Sequence, residues 1–387
     1  MIHAVIGAQF GDEGKGLMVD YLSQHQTLVV RFNGGAQAGH TVVRADGHRH
    51  EFQHFGAGGY RGAFTLLSRF FIVNPILYVQ ELGDIKGIPY LATYVDERCL
   101  VTTPVDMMLN TLVEKARGSG RHGSCGVGIN ETVTRCEQEA SRLTVGQLAT
   151  ESLRSITNRV YTYGLRRAEK LGVELPDGMT MLEIFDRWAY DVKTFMRSAQ
   201  IVNDVELIER HTNVVFEGAQ GLRLDELAPG GFPHVTRSRT GMTNVITLLN
   251  ESKRTDVVDV VYVTRAYVTR HGAGPLGGET DGHPYGWTGP ESNVENESQG
   301  KLRYAKLEDH AMELRNAIKR DITNLSLSAP SNNIYRIGLA VTCNDQVPAS
   351  DAASSFASWA AQLPLWYKSF GPTRFDVEKC SNVAQAR

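Results

Sequence analysis

Cysteine is scarce in this chain: five in 387 residues, an odd number, with no C-x-x-C pair among them. Neither a disulfide framework nor a structural zinc site is expected, and a reduced, cytoplasmic setting is. No stretch approaches the roughly 18 uninterrupted apolar residues of a membrane-spanning helix, so no membrane partner is expected. No basic region followed by an apolar run stands at the N-terminus, so no secretory leader is expected. Excess positive charge is missing too. The 40 Lys and Arg stand against 43 Asp and Glu, a net charge of −3, which gives no electrostatic reason to bind nucleic acid. Repeats, low-complexity tracts and linkers are lacking, and the chain reads as one domain over 1–387.

What the sequence does have is glycine, 38 in all. Much of it follows short apolar runs. Residues 2–6, 28–32, 70–73, 214–216, 256–268 and 334–342 read as strands. Residues 17–22, 76–83, 105–117, 145–200 (broken at Leu175 to Gly178) and 305–320 read as helices. The first two strands are expected to be neighbours. Residues 118–130 and 271–300 are polar, glycine-rich loops, the second long enough to be functional or mobile. Strands alternating with helices predict an α/β fold: a single large domain around a central, mainly parallel sheet with helices and long loops. Ligands in such sheets sit at the carboxyl ends of the strands.

Five segments carry the chemistry. The first, Gly7 to Gly16, packs Asp12, Glu13, Lys15 and four glycines into ten residues between a strand and a helix. Glycines let backbone N–H groups approach phosphate, and a helix N-terminus adds positive potential. It is not a Walker A loop, because Gly16 stands where Ser or Thr must follow the lysine. The plain alternative is a glycine turn with Asp12 or Glu13 capping the helix. The second, Asn33 to Thr41, is rich in small residues and ends on His40, which can donate to a developing oxyanion or serve as a structural hydrogen-bonder. The third, Phe216 to Gly221, holds Gln220, whose donor and acceptor suit a purine edge or a capped turn. The fourth, Thr264 to Glu279, contains Arg270 and His271. The fifth, Thr342 to Asp345, offers a carboxylate that can read guanine N1–H and N2–H or cap a turn.

Together these segments resemble the adenylosuccinate synthetase family. Its Q-W-G-D-E-G-K-G appears as Gln9 to Gly16 with Phe10 for Trp, and its N-A-G-H-T as Gln37 to Thr41. F-E-G-A-Q-G is unchanged at 216–221. Y-P-Y-V-T is Phe232 to Thr236, T-R-V-G-A-G-P is Thr269 to Pro275 with His271 for Val, and S-T-G-P is Ser369 to Pro372. The arginine-rich G-R-R-R-R-x-G-W-x-D is eroded to Gly300 to Glu308. The resemblance implies a ligase that joins L-aspartate to C6 of a 6-oxopurine nucleotide through a 6-phosphoryl intermediate. Asp12 would take the N1 proton, His40 would donate to the transferring phosphoryl group, and Lys15 would offset phosphate charge. Gln37, Ser124, Cys125, Gln220 and Thr236 would hold the purine nucleotide. Arg135, or Arg142, would reach its phosphate across a homodimer interface. Gly11, Glu13, Gly14, Lys15, Gly16, Gly39, His40, Thr41, Asn344, Asp345, Gly371 and Pro372 would hold the triphosphate. Thr280, Lys301 and Arg303 would hold aspartate, and Mg²⁺ would sit on Asp12 and the Gly39 carbonyl.

The departures from the family pattern fall at Gln37, at 52–58, at 235–240, at Cys343 and in the arginine segment. They bring the chain near the bacteriophage branch that makes N6-succino-2-amino-2′-deoxyadenylate from dGMP with ATP or dATP. Retention of Asp12 matches the ordinary enzyme, which uses IMP and GTP. The expected purine is dGMP, with IMP as the alternative. A nucleotide-binding regulator that has lost catalysis is the competing class; it is motivated by the eroded arginines and opposed by Asp12, Lys15, His40 and Gln220.

Overall fold

Alternation inside the short apolar runs decides the architecture. Ala4 and Ile6 face one side of the sheet and Val5 the other. Leu28 and Val30 oppose Val29, and Val260 and Tyr262 oppose Val261 and Val263. All of these are buried, because helices cover both faces of a parallel sheet. The computed structural model describes residues 1–85, 88, 91–120, 122–289, 291, 293, 299–329 and 333–380.

The main sheet has ten strands: β1 (Ile2–Gly7), β2 (Leu28–Arg31), β3 (Phe64–Leu67), β4 (Thr93–Asp96), β5 (Ala199–Val202), β6 (Val214–Gly221), β7 (Val257–Arg265), β8 (Ile334–Thr342), β9 (Leu365–Ser369) and β10 (Val377–Lys379). Their spatial order is β10-β9-β8-β7-β1-β6-β2-β3-β4-β5, parallel at every pairing except β9 with β10. The helices are α1 (Lys15–Leu22), α2 (Pro75–Asp84), α3 (Pro104–Arg117), α4 (Ile129–Cys136), α5 (Val145–Thr150), α6 (Leu153–Leu171), α7 (Gly178–Ser198), α8 (Asp204–Arg210), α9 (Thr243–Glu251), α10 (Ala311–Ser328) and α11 (Ser350–Ala361). One core packs α1, α2, α3, α6 and α7 against the sheet through Val19, Tyr78, Val105, Val160, Trp188 and Phe195. The other packs α9, α10 and α11 through Leu248, Ile318 and Ala357. Among the described residues, no helix is long and apolar enough to cross a membrane.

The expected adjacency of the first two strands is corrected. β6 lies between β1 and β2, pairing with both. The carboxyl ends of β8, β7, β1, β6 and β2 therefore form one continuous edge, and all five chemistry-bearing segments leave the sheet there. The helix expected over 305–320 starts at Ala311 instead, because Arg303–Ala305 pairs with Val268–Arg270 and Glu279–Thr280 in a small antiparallel sheet. The same pairing ends the strand expected over 256–268 early, at Arg265. Within the long 271–300 loop, residues 290, 292 and 294–298 lie outside the described residues.

Segment 52–58 is part of the core, not of a ligand pocket. Phe52, His54 and Phe55 are fully buried, and the ring of His54 packs edge-on against Phe71 and Tyr78. The Glu81 carboxylate accepts the backbone N–H groups of Gln53 (2.8 Å) and His54 (2.7 Å). Burial alone would raise the Glu81 carboxyl, but the facing imidazoles of His50 (3.7 Å) and His54 (3.5 Å), with the backbone N–H of His54, outweigh it and hold it at about 2. A carboxyl held below its ordinary value of about 4.5 stabilises the fold fully above that pH and loses the contribution as pH falls toward 2. Urea unfolding should therefore show Glu81→Gln less stable than the parent by roughly 2–3 kcal/mol at pH 7. That gap should close as both proteins are taken to pH 2.5.

Candidate active site

The first loop is shaped by a carboxylate that never leaves the protein. Glu13 Oε1 accepts the N–H groups of Gln9 (3.0 Å) and Gly11 (2.9 Å), and Glu13 Oε2 receives Lys15 Nζ at 2.6 Å. Both side chains are buried. Thr342 Oγ1 donates to the Glu13 carbonyl at 2.7 Å, and Arg265 Nε donates to the Asp12 carbonyl at 2.6 Å. These ties hold Asp12 at a φ of 61°, in the left-handed region. Gly16, in the first turn of α1, packs against the second segment. A Cβ there would lie 2.9 Å from the Thr41 carbonyl oxygen, so only glycine allows the approach.

The second and third loops are locked together. Asn33 Nδ2 donates to the Ala219 carbonyl (3.1 Å), and the Ala219 N–H donates back to Asn33 Oδ1 (2.8 Å). His40 Nδ1 hydrogen-bonds Glu217 Oε1, and Glu217 Oε2 accepts the Ala57 N–H at 3.1 Å. Burial alone would raise the Glu217 carboxyl; Arg31 and His40 outweigh it and keep it below its usual range. Burial lowers His40 despite that carboxylate. Glu217 thus orients a His40 ring that is neutral at rest, and an incoming anion would favour its protonated form. Buried Arg31 donates to the carbonyls of Gln53, at 2.7 Å, and Phe55, at 3.3 Å. It thereby ties segment 52–58 to the back of the site.

Two cavities open on this edge. The first, about 590 Å³, is lined by Gln37, Ser124, Cys125, Gln220, Thr236 and His271, among others. The second, about 440 Å³, is lined by Asp12, Glu13, Gly14, Lys15, Gly16, Gly39, His40, Thr41, Asp345, Gly371 and Pro372, among others. All the residues named here for the first cavity except His271 are among those the resemblance assigns to a purine nucleotide, and those named for the second, Asp12 apart, are among those it assigns to a triphosphate. Gly11, also expected at the triphosphate, lines neither cavity; its Cβ direction points at Gln220 Cα, 3.8 Å away. The cavities face each other across Asp12 and His271, whose Oδ2 and Nε2 are 3.8 Å apart.

Some expected site residues are not brought there. Arg135 is fully buried, pairs with Asp106 at 2.9 Å and donates to the carbonyls of Ser141 and Val101. It cannot cross an interface, whereas Arg142 is exposed. Asn344 is buried and turned inward, donating to the carbonyls of Val341 (2.8 Å) and Ser369 (3.1 Å), so the second cavity receives Asp345 alone from that pair. Thr280, Lys301 and Arg303 line neither cavity. Arg303 is spent on Glu279 and on the carbonyls of Gly272 (2.9 Å) and Gly274 (2.6 Å). Conversely, Glu217, Arg31 and Arg265 carry functions that residue-level reading did not assign. Phe10 lies between the guanidinium groups of Arg223 (4.1 Å) and Arg270 (4.2 Å). The F-E-G-A-Q-G motif marked Glu217; nothing local marked Arg31.

The family profile described as adenylosuccinate synthetase matches residues 4–315. The chain belongs to this family. It is a carbon–nitrogen ligase of the adenylosuccinate synthetase type. An adenylosuccinate synthetase of Clostridium beijerinckii is 32% identical over 301 residues, covering 73% of this chain and 69% of the relative. In fold, the chain is similar to the fully ligated adenylosuccinate synthetase of Plasmodium falciparum, at a TM-score of 0.72 and 18% identity, covering 98% of this chain and all of that one. It is also similar, at a TM-score of 0.62 and 17% identity, to the cyanophage S-2L succinoaminodeoxyadenylate synthetase bound to dGMP and dATP, covering 98% of this chain and 95% of that one.

The Glu217–His40 pair yields a direct test. Glu217→Gln should lower kcat by roughly 10²-fold or more while changing KM for the purine nucleotide little, if the ring that Glu217 orients is the phosphoryl donor the family resemblance implies. Arg135→Met should behave oppositely. Urea unfolding should report a loss of about 3–5 kcal/mol, with an unchanged KM for the folded enzyme.

Proposed function

We propose that this enzyme condenses L-aspartate with C6 of dGMP, giving N6-succino-2-amino-2′-deoxyadenylate, at the expense of a nucleoside triphosphate. The observation that carries the ligation chemistry is the position of Asp12 at the junction of the two cavities. A purine monophosphate in the first cavity, held by Gln37, Ser124, Cys125, Gln220 and Thr236, can turn its N1–C6 edge toward Asp12. A triphosphate in the second cavity brings its γ-phosphate to the same point.

The chemistry then follows from the residues. A 6-oxo group is a poor leaving group, so it is phosphorylated before displacement. Asp12 accepts the N1 proton and O6 attacks the γ-phosphorus, breaking the bond to the bridging oxygen and releasing the diphosphate. The neutral amine of aspartate adds at C6, the carbon–oxygen bond breaks, and inorganic phosphate departs with the proton the amine gives up. His40, oriented by Glu217, donates to the transferring phosphoryl group, and Lys15 faces the phosphate charge. The donor set also fits Mg²⁺. The Asp12 carboxylate and the Gly39 carbonyl are hard oxygen ligands beside the same cavity, and Mg²⁺ takes few protein ligands besides substrate phosphates. When bound, it would supply charge neutralisation across the β- and γ-phosphates.

Support for guanine as the base comes from the 235–240 wall. Thr236 and Arg237 line the first cavity, and Ser238 Oγ accepts the Gly34 N–H at 2.9 Å, so substitutions in this stretch reach the purine loop. The fold neighbour from cyanophage S-2L binds dGMP and dATP. IMP is the second reading, favoured by the retained Asp12 and by ordinary synthetases among the relatives. ATP, dATP and GTP are the candidate donors, and Asp345, which lines the second cavity, is the residue we assign to the donor base. We also propose a cytoplasmic homodimer in which Arg142 of one subunit reaches the monophosphate of the other.

Phosphate release with L-aspartate and Mg²⁺ tests these assignments across IMP, GMP and dGMP against ATP, dATP and GTP. Turnover should be highest with dGMP, vanish on chelation of Mg²⁺, and fall by roughly 10²–10⁴-fold in Asp12→Asn with folding intact. Turnover with IMP and none with dGMP would sink the guanine assignment. No aspartate-dependent release with any pair would favour a binding protein.

A further inference from the structure

His271 stands at the junction of the cavities and has no role in the steps above. The turn that carries it is held from several sides. Arg270 donates to the carbonyls of Pro275 (2.8 Å) and His234 (3.2 Å). Arg303 binds the carbonyls of Gly272 and Gly274. Gly272 adopts a φ of 79° and packs on Gly123, where an added Cβ would lie 3.0 Å from Gly272 Cα. The imidazole is therefore presented by a braced backbone.

Its polar atoms are not spent elsewhere. The side chain is 15% exposed. Nδ1 is buried with no hydrogen-bond partner, which leaves Nε2 as the nitrogen facing Asp12. The 3.8 Å from Nε2 to Asp12 Oδ2 is too long for a hydrogen bond. Two polar groups thus stand side by side, one facing the triphosphate cavity and one lining the purine cavity, with a gap between them.

The order of atoms around a purine assigns this gap. In the reading above, O6 points into the second cavity toward His40 and the γ-phosphate, and N1 meets Asp12. The next ring atom is C2, on the side of the first cavity, where His271 lies. We propose that His271 reads the substituent at purine C2, its ring proton on Nδ1 and its Nε2 accepting a hydrogen bond from the exocyclic amine of guanine. The inference rests on the placement of N1 at Asp12 and deepens the guanine assignment. Guanine offers adjacent donors, N1–H and N2–H, to the adjacent acceptors Asp12 and His271. Hypoxanthine offers only N1–H and leaves Nε2 unpaired. A site built to bond a group discriminates against the analogue lacking it, because its own polar atom is then stranded. The valine of the family motif at this position has no such atom.

The test compares dGMP with dIMP, which differ only in that amine. Equilibrium dissociation constants of both monophosphates, and kcat/KM for both with L-aspartate and ATP, are measured for the parent, His271→Val and His271→Gln. Valine should reduce the dGMP-to-dIMP preference by roughly tenfold to a hundredfold in both readouts, and glutamine, which can still accept, should restore part of it. A residue that merely props Asp12 would lower turnover of the two purines equally and leave the ratio alone. A ratio unchanged within about threefold in His271→Val overturns the role of His271, whichever purine the parent prefers. A parent that binds dIMP more tightly than dGMP overturns the guanine assignment. In that case a ratio that still moves in His271→Val retains His271 as the reader of C2. Thermal melts of both variants confirm that any lost discrimination is measured on folded protein.

Discussion

Strand β6 enters the sheet between β1 and β2, which are far closer to each other in sequence than either is to it. Its ladder with each neighbour places Glu217 and Gln220 between the loop of Asp12 and the loop of His40. Everything at the site depends on this insertion. Without it, His40 has no carboxylate to orient it, Asn33 has no Ala219 backbone to hold, and the two cavities do not share an edge. The register is fixed because both faces of β6 are buried, so a slip of one residue would turn Val215 into the wrong core.

A second feature is how much charge is buried to keep this edge rigid. Arg31, Glu217, His40, Glu13 and Lys15 are all nearly inaccessible. Ion pairs of this kind add little to stability over apolar packing, and losing one partner is costly. Their value here is positional. Glu13 gathers two backbone N–H groups and a lysine, Arg31 gathers the carbonyls behind the site, and Glu217 sets a ring nitrogen. The loops that meet substrate are thereby fixed before substrate arrives, which is what electrostatic catalysis of phosphoryl transfer requires.

Five strands of the main sheet (β1, β2, β6, β7 and β8), most of the helices and the mainly parallel sheet were legible because their apolar periodicity is local; β3, β4, β5, β9 and β10 were not, and of the strand expected at 70–73 only Ile72–Val73 is extended, paired with Leu100–Val101 outside the main sheet. Legible too was the clustering of Asp12, Lys15, Gln37, His40 and Gln220, because each sits in a short glycine-rich segment after an apolar run; Asp345 follows the last long strand without a glycine, and Thr236 was marked only by the family resemblance. Arg135, Asn344 and Arg303 were misplaced for a common reason. A charged or amide side chain looks the same in sequence whether its partner is a ligand or a backbone carbonyl; Asp106, Ser369 and Gly272 lie 29, 25 and 31 residues away from them. Segment 52–58 stood out in the sequence only because its residues depart from the family pattern. In the fold those residues answer to Glu81, Tyr78 and Arg31.

The sequence by itself determined the family, the fold class and the kinds of side chain available for phosphoryl transfer and ligation, because these rest on local pattern and on motifs in order along the chain. Only the tertiary structure decided which of those side chains meet. The insertion of β6, the turning inward of Asn344 and Arg135, and the approach of His271 to Asp12 are set by contacts between residues tens to hundreds of positions apart. Such contacts depend on burial and on the balance of hydrogen bonds across the whole sheet, which no local spacing records.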